Sequence, residues 1–211
     1  MNQIILSKER TGKMSKLYFK YSTMFSGKTS ELIKTYTTYE IQGKTGVVIK
    51  PSIDTRGNQN TIKSRSSDYE IKNVLLIHPE EDISKKIIES IYISEVDVIL
   101  IDEAQFLTRE QVIQLHDISI MVPVVCFGLK TDAQGRLFEG SNALLSFADS
   151  IEEIKGICEV CNKKSTMNLL VDENNKVIFD SNPITIGSDN FHALCYHHWN
   201  QSRKIGEYVY N

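Results

Sequence analysis

A Gly-Lys-Thr triplet at residues 27–29 constrains the fold of this chain more than any other feature. The apolar run LYFKY at 17–21 precedes it, and Ser30 to Ile41 follows with helical periodicity. Strand, loop and helix in this order are typical of a phosphate loop, whose backbone N–H groups face an anion. The usual loop begins with glycine five residues before Gly27, where this chain has Ser22. Serine is tolerated there if no positive φ is needed, but an ordinary helix start with a surface lysine stays possible.

A second motif, VILIDEAQF at residues 98–106, strengthens the first. Its apolar half suits a fully buried central strand, and Asp102 and Glu103 follow at the carboxyl end, where ligands bind in open α/β sheets. In nucleotide-binding proteins one such acid holds Mg²⁺ and the next can act on the attacking nucleophile. Two acids at a solvated strand end are common by themselves. Together with the phosphate loop, they favour binding of a nucleoside triphosphate.

Strand and helix patterns alternate up to about residue 150 and predict a parallel α/β sheet of the P-loop NTPase type, with a RecA-like core. Beyond the elements above, we predict strands at 46–50, 71–76, 96–101, 122–127 and 151–154 and helices at 79–93 and 108–120. The polar run at 54–68 is predicted to be a mobile loop. Beyond the last of these strands, the pattern changes to short strands with Asn-rich turns, such as DENNK at 172–176. The predicted organisation is a flexible terminus at 1–15, an α/β domain at 16–150, a β-rich domain at 151–200 and a tail at 201–211.

Two short cysteine motifs in the β-rich domain indicate a metal site. Cys158 and Cys161 form CxxC, and Cys195 and His198 form CxxH further along the chain. Three thiolates and one imidazole are a typical structural zinc set, which leaves no position for water and so takes no part in chemistry. A CxxC redox pair or disulfides are alternatives, and His197 could replace His198. Cys126, in an apolar strand, is predicted to be a buried small hydrophobe.

Composition excludes some classes of function. The 211 residues carry a net charge of -3, so no large basic field exists to hold a nucleic acid. The amino end has only three consecutive apolar residues, Ile4 to Leu6, and no run approaches membrane-spanning length. We therefore expect a cytoplasmic protein without nucleic-acid or membrane partners.

Five segments in this order resemble the type II thymidine kinase family: TMFSGKT at 23–29, DTR at 54–56, DEAQF at 102–106, GLKTD from Gly128, and the CxxC and CxxH pairs. The resemblance covers about residues 16–200. It implies transfer of the ATP γ-phosphate to the 5′-hydroxyl of thymidine or deoxyuridine, a homotetramer, and thymidine triphosphate (dTTP) as feedback inhibitor. It also implies a lasso loop, here about 182–192, that the zinc domain holds over the nucleoside.

The resemblance assigns roles residue by residue. Glu103 would be the general base, Lys28 would contact the β- and γ-phosphates, and Arg56 would stabilise the transferring charge. Mg²⁺ would be held by Thr29 and Asp102. ATP would be bound by Ser22, Thr23, Met24, Phe25, Ser26, Gly27, Lys28, Thr29, Asp54 and Arg56. The nucleoside would be bound by Met24, Phe106, Leu129, Ala133, Ile186, Gly187, Ser188 and Phe191, although Met24, Phe106 and Leu129 could equally be core.

Four residues depart from the family pattern. Ser22 and Ser188 replace glycines, Phe191 replaces a common tyrosine, and Ala133 stands where phenylalanine is usual. Loss of a buried aromatic ring costs about 3–5 kcal/mol if the gap does not collapse. We therefore expect a looser floor of the base pocket at Ala133.

Three other functions compete with this interpretation. The DEAQ sequence also resembles the DExx box of helicases, but those enzymes need two lobes and more positive charge than this chain has. A zinc-ribbon binding module without catalysis would bind zinc and transfer no phosphate. A nucleotide kinase that acts on thymidine monophosphate would need arginines at the acceptor phosphate, and segments 102–107 and 182–192 contain none.

Overall fold

The computed structural model describes residues 16–54, 60–64, 69–179 and 190–210. The strands are β1 Leu17–Ser22, β2 Gly46–Pro51, β3 Thr61–Lys63, β4 Glu70–Lys72, β5 Leu75–Ile77, β6 Val98–Ile101, β7 Val124–Leu129, β8 Ser150–Glu153, β9 Gly156–Ile157, β10 Lys164–Ser165, β11 Met167–Leu170 and β12 Phe191–Leu194. The helices are α1 Lys28–Ile41, α2 Ile83–Ser90, α3 Arg109–Ser119, α4 Glu139–Phe147 and α5 Tyr196–Ile205.

Six parallel strands form one sheet in the order β5-β2-β6-β7-β1-β8. Alternate residues of β6 point to opposite faces: Val98 and Leu100 pack with α1, whereas Ile99 and Ile101 pack with the side of α2, α3 and α4. Both faces of the strand are therefore buried, as its continuous apolar run predicts. The predicted α/β class and the parallel sheet are confirmed, and Cys126 is a fully buried core residue.

Helix α4 was not predicted, because its buried side consists mainly of small residues. The first half of the helix buries Gly140, Ser141 and Ala143, and its large apolar side chains, Leu144, Leu145 and Phe147, are confined to its end. A Cβ atom at Gly140 would collide with the backbone carbonyl oxygens of Ala104 and Leu107. Glycine thus lets the backbone of α4 lie directly on the turn that follows β6.

The region around residues 54–76 also differs from the prediction. Residues 61–63, expected in a mobile loop, form β3 and pair with β4 in an antiparallel hairpin. The strand expected at 71–76 is divided into β4 and β5 by Asn73, whose φ of 59° is a left-handed conformation that asparagine tolerates better than most residues. Helix α2 begins later than expected, because the side chain of Asp82 caps the N–H of Lys85.

The small carboxy-terminal domain contains the antiparallel strand pairs β9–β10 and β11–β12. It also contains α5, which was not predicted, since only Ser202 is buried on that helix. Strand β8 pairs with β1 in the large sheet, although its residues straddle the expected boundary at 151. Helix α5 continues to Ile205, past the expected start of the tail at 201.

Candidate active site

The phosphate loop joins β1 to α1 as predicted. Ser22 ends β1 with an ordinary negative φ, whereas Phe25 and Gly27 have φ of 57° and 81°. Positive φ is therefore needed at Gly27, where glycine adopts it without strain, and a serine at position 22 costs nothing in backbone conformation. The condition set for a serine at this position, a φ that is not positive, is therefore met.

The ammonium group of Lys28 lies over this loop. Its Nζ donates to the carbonyl oxygen of Thr23 at 2.8 Å and to Oγ of Ser22 at 3.3 Å. The side chain is buried, and Thr29 follows it half-buried in the first turn of α1. An ammonium held at this place meets an anion that approaches the amino end of α1.

Asp102 and Glu103 stand at the carboxyl end of β6, two strands away from the phosphate loop. Asp102 is 6% exposed. Burial, and next the charge of Glu103, raise the pKa of Asp102 to about 7, although the ammonium of Lys50 opposes the shift. A buried carboxylate at the ligand-binding edge of a sheet is ionised most easily when a cation lies beside it, so Asp102 fits a metal-ligand role.

A buried ion pair adds a third carboxylate to this edge. Lys50 Nζ lies 2.9 Å from Asp54 Oδ2, and the two side chains are 6% and 4% exposed. Lys50 was missed by sequence analysis, although a lysine inside the apolar strand β2, directly before Pro51, is a detectable signal. Asp54 is placed at the same end of the sheet as Asp102, while Arg56 lies outside the described residues.

The raised pKa of Asp102 predicts a pH dependence of stability. A carboxyl whose pKa rises from 3.8 in the unfolded chain to about 7 in the folded one binds its proton more tightly when folded. Its stabilising contribution is complete below the unfolded pKa and is lost as the pH rises through the folded pKa. In metal-free buffer, we expect the free energy of unfolding to decline over this window and Asp102→Asn to flatten the decline, as measured by denaturant titration.

The matched control for this prediction is Asp117→Asn, at an exposed position of α3. This variant should keep the wild-type decline. If Asp102→Asn and the wild type showed the same pH dependence of the free energy of unfolding, the decline could not be assigned to Asp102.

An apolar cluster lies next to the acids. Met24, Leu129 and Phe138 are buried in it, and Phe106 and Phe191 pack against them. The rings of Phe106 and Phe138 meet edge to face, with centroids 5.7 Å apart. The cluster brings together four of the predicted nucleoside-binding residues, from the phosphate loop, the turn after β6, the end of β7 and β12.

Phe138 completes this cluster and was missed, because it lies in a stretch that was interpreted as polar. The signal that could have found it is an aromatic residue directly before the acidic amino end of α4. Ala133 is buried but does not join the cluster in the described part of the chain, and its carbonyl oxygen accepts a hydrogen bond from Trp199 Nε1 at 3.1 Å. Ile186, Gly187 and Ser188 lie outside the described residues.

Hydrogen bonds tie the phosphate loop to the small domain. Thr23 Oγ1 lies 2.8 Å from both Ser26 Oγ and Ser165 Oγ. The N–H of Met24 donates to Asn168 Oδ1 at 2.8 Å, while Asn168 Nδ2 donates to the carbonyl oxygen of Thr131 at 3.1 Å. Both Ser165 and Asn168 are buried, so the small domain forms one wall of the loop.

The predicted metal ligands converge in the small domain. The ligand atoms of Cys158, Cys161, Cys195 and His198 all lie within 4.8 Å of one another. Cys161 Sγ is 3.9 Å from Cys195 Sγ, and His198 Nδ1 is 3.5 Å and 3.4 Å from the sulfurs of Cys158 and Cys195. Zn–S bonds of about 2.3 Å give a tetrahedron whose S–S edges are about 3.8 Å. The cluster is therefore compatible with zinc, and His198 rather than His197 belongs to it.

The protonation of Cys158 also suits a metal ligand. Burial acts to raise the pKa of its thiol, but hydrogen bonds with the backbone of Cys195 and with His198 outweigh burial and lower the pKa to about 6. The thiolate is the form of cysteine that binds metal.

The fold and the site define a class of protein. A parallel α/β sheet with a phosphate loop after β1 and paired acids after β6 is a nucleotide-binding protein of the P-loop type. None of the helices in the described residues is long and apolar enough to cross a membrane.

Comparison with known proteins identifies the family. A family model described as thymidine kinase matches residues 15–199. The chain is 38% identical over 192 residues to the thymidine kinase of Rhodopirellula baltica, with 90% of each chain covered. It is 41% identical to that of Streptococcus gordonii, covering 88% of this chain and 96% of the other. It is 37% identical to that of Francisella tularensis, covering 89% of this chain and 98% of the other.

The chain belongs to the thymidine kinase family and is an enzyme, a kinase. This decides against the nucleic-acid-dependent ATPase and the non-catalytic zinc module as its function.

Proposed function

We propose that this kinase transfers the γ-phosphate of ATP to the 5′-hydroxyl of thymidine or deoxyuridine. One observation carries the proposal: the apolar aromatic cluster adjoins both the phosphate loop and Glu103. Met24 belongs to the loop and the cluster, and Phe106 lies in the same short turn as Glu103. A flat, uncharged base between aromatic rings would therefore present its sugar toward the acids and the loop.

On the donor side, the loop from Ser22 to Thr29 binds the ATP phosphates through its N–H groups. Lys28 exchanges its contacts with Ser22 and Thr23 for phosphate oxygens. Asp54 is held at this edge by Lys50, and Arg56 supplies a further positive charge to the transferring group. Positioning and charge neutralisation account for most of the catalysis.

On the acceptor side, Glu103 takes the proton of the 5′-hydroxyl as the general base. The base lies among Met24, Phe106, Leu129, Phe138 and Phe191. The family resemblance assigns Ile186, Gly187 and Ser188 to the same base. No arginine stands among the described residues of this cluster, so a nucleoside suits it better than a nucleotide acceptor.

Two metal ions belong to the proposal. Thr29 and Asp102 would hold Mg²⁺, which would supply positive charge to neutralise the phosphates. Zinc in the Cys158, Cys161, Cys195 and His198 cluster stabilises the small domain and has no open position for substrate. We further propose a cytoplasmic homotetramer inhibited by dTTP, on the strength of the family resemblance.

A phosphoryl-transfer assay tests the function. Labelled ATP and Mg²⁺ are offered with thymidine, deoxyuridine, deoxycytidine, thymidine monophosphate or no acceptor, and zinc is determined on the same sample. We expect transfer to thymidine and deoxyuridine alone and about one zinc per chain. Transfer to thymidine monophosphate or to no nucleoside would overturn the substrate assignment.

Ala133→Phe tests the expected looseness of the base pocket. The substitution restores the aromatic residue that the family resemblance places at 133, and it should lower the KM for thymidine if the ring reaches the base, because aromatic packing is worth about 0.5–1.5 kcal/mol beyond its area. The KM for ATP serves as the internal control and should not change. A thermal melt checks that the larger side chain is tolerated at this buried position. An unchanged KM for thymidine in a folded variant would contradict the prediction.

A further inference from the structure

The side chain of Gln105 connects Glu103 to strand β7. Gln105 is 2% exposed. Its Nε2 donates to Glu103 Oε2 at 2.5 Å, and its Oε1 accepts from the backbone N–H of Leu129 at 3.0 Å. Both ends of the amide are therefore engaged, one by the acid and one by the backbone of the sheet.

This arrangement has only one workable orientation of the amide. A backbone N–H can only donate, so the group that faces Leu129 must be the oxygen of Gln105. The NH₂ group is then directed at the carboxylate of Glu103. A reversed amide would place two donors together at Leu129 and two acceptors together at Glu103.

Two backbone features accompany the contacts of Gln105 with Leu129 and Glu103. A Cβ atom at Gly128 would lie 2.9 Å from Gln105 Oε1 and 3.0 Å from Gln105 N, so Gln105 would have to shift to make room for it. Glycine at 128 thus permits the approach of Gln105 to β7. Glu103 itself has φ of 50° and ψ of 39°, a left-handed conformation that is unfavourable for glutamate and persists only where neighbouring contacts enforce it.

We propose that Gln105 is a positioning residue that holds the carboxylate of Glu103 toward the acceptor hydroxyl. The proposal rests on the proposed role of Glu103 as general base. Gln105 touches no substrate in this account: its oxygen is fixed by the N–H of Leu129, and its NH₂ group acts on Glu103. A free glutamate side chain has three rotatable bonds, and a donor anchored to the sheet restricts it to the reactive orientation.

Gln105→Met tests the proposal, because methionine has a similar volume and length but neither donates nor accepts strongly. We expect kcat to fall by about 10- to 100-fold, as for other residues that orient a catalytic group, with the KM for thymidine and ATP nearly unchanged. In the Glu103→Gln background the same change should have almost no further effect, since residues that act as one unit are strongly non-additive.

Gln111→Met is the matched control. Gln111 is also 2% exposed, and its amide donates to the carbonyl oxygens of His78 and Glu81 in the packing of α3, away from Glu103. This variant should lose stability in a thermal melt but keep the wild-type kcat. If Gln105→Met does not fold, Gln105→Asn keeps a neutral amide but is one methylene too short to reach Glu103 and Leu129 together, and should show the same loss of kcat.

The outcomes separate the two proposals. An equal kcat for Gln105→Met and Gln111→Met, or multiplicative losses in the double variant with Glu103→Gln, would overturn the positioning role while Glu103 remains the base. A Glu103→Gln variant with full kcat would instead show that the proposed function of Glu103 is wrong.

Discussion

Glu103→Gln is expected to lower kcat by about 10²- to 10⁴-fold, because glutamine cannot accept the proton of the acceptor hydroxyl. The substitution changes little else. Glutamine keeps the oxygen that accepts the hydrogen bond from Gln105 and has almost the same volume. Glu103 also contributes no ring to the apolar cluster, so the dissociation constant of thymidine should stay close to that of the wild type.

The measurement pairs steady-state kinetics with calorimetric titration of thymidine. Glu110→Gln makes the same chemical change at an exposed position of α3 and should leave both constants unchanged. A parallel loss of kcat and of thymidine affinity in Glu103→Gln would mean that the carboxylate maintains the structure of the site instead of serving as base.

Removal of one metal ligand by Cys158→Ala is expected to release zinc and abolish activity. Structural zinc contributes about 10–16 kcal/mol of apparent binding free energy in small zinc peptides, more than a domain of this size holds in its packing. The effect should reach the active site, because two residues of the small domain contact the phosphate loop. Ser165 hydrogen-bonds to Thr23, and Asn168 of β11 accepts from the N–H of Met24. Zinc content, a thermal melt and the transfer assay on one sample measure the three consequences.

Cys126→Ala provides the control for thiol loss. Cys126 is fully buried in the large sheet and lies outside the metal cluster. This variant should melt at a lower temperature because it leaves a small cavity, yet keep about one zinc per chain and its activity. A Cys158→Ala protein that is free of zinc and fully active would refute the structural role of the metal.

The parts of the site that are local in sequence were predictable. The phosphate loop, the acids after β6 and the two cysteine motifs are short patterns whose residues act together over a few positions. Helix α4 was not predicted because it packs closely on the turn after β6 and has small residues such as Gly140 there. A helix is recognised in a sequence by large apolar residues at its buried positions. Helix α5 escaped because it lies on the surface of the small domain and buries only Ser202.

Contacts between distant segments could not be predicted from patterns. The link from Gln105 to Leu129 depends on how the turn after β6 meets the end of β7. Sequence analysis found Asp54 but not its partner Lys50, since the pairing depends on the bend that follows β2. The role of Phe138 likewise depends on the position of α4, and it became visible only with the cluster.

The three hydroxyls of Thr23, Ser26 and Ser165 give the phosphate loop a property that amides or charged groups in the same places would not. Each hydroxyl can donate or accept, and its hydrogen rotates about a single C–O bond. The direction of donation between these hydroxyls can therefore reverse when an anion arrives at the loop. Because only hydrogens turn, Thr23 can direct its donor to a new acceptor while the heavy atoms of the wall stay where they are.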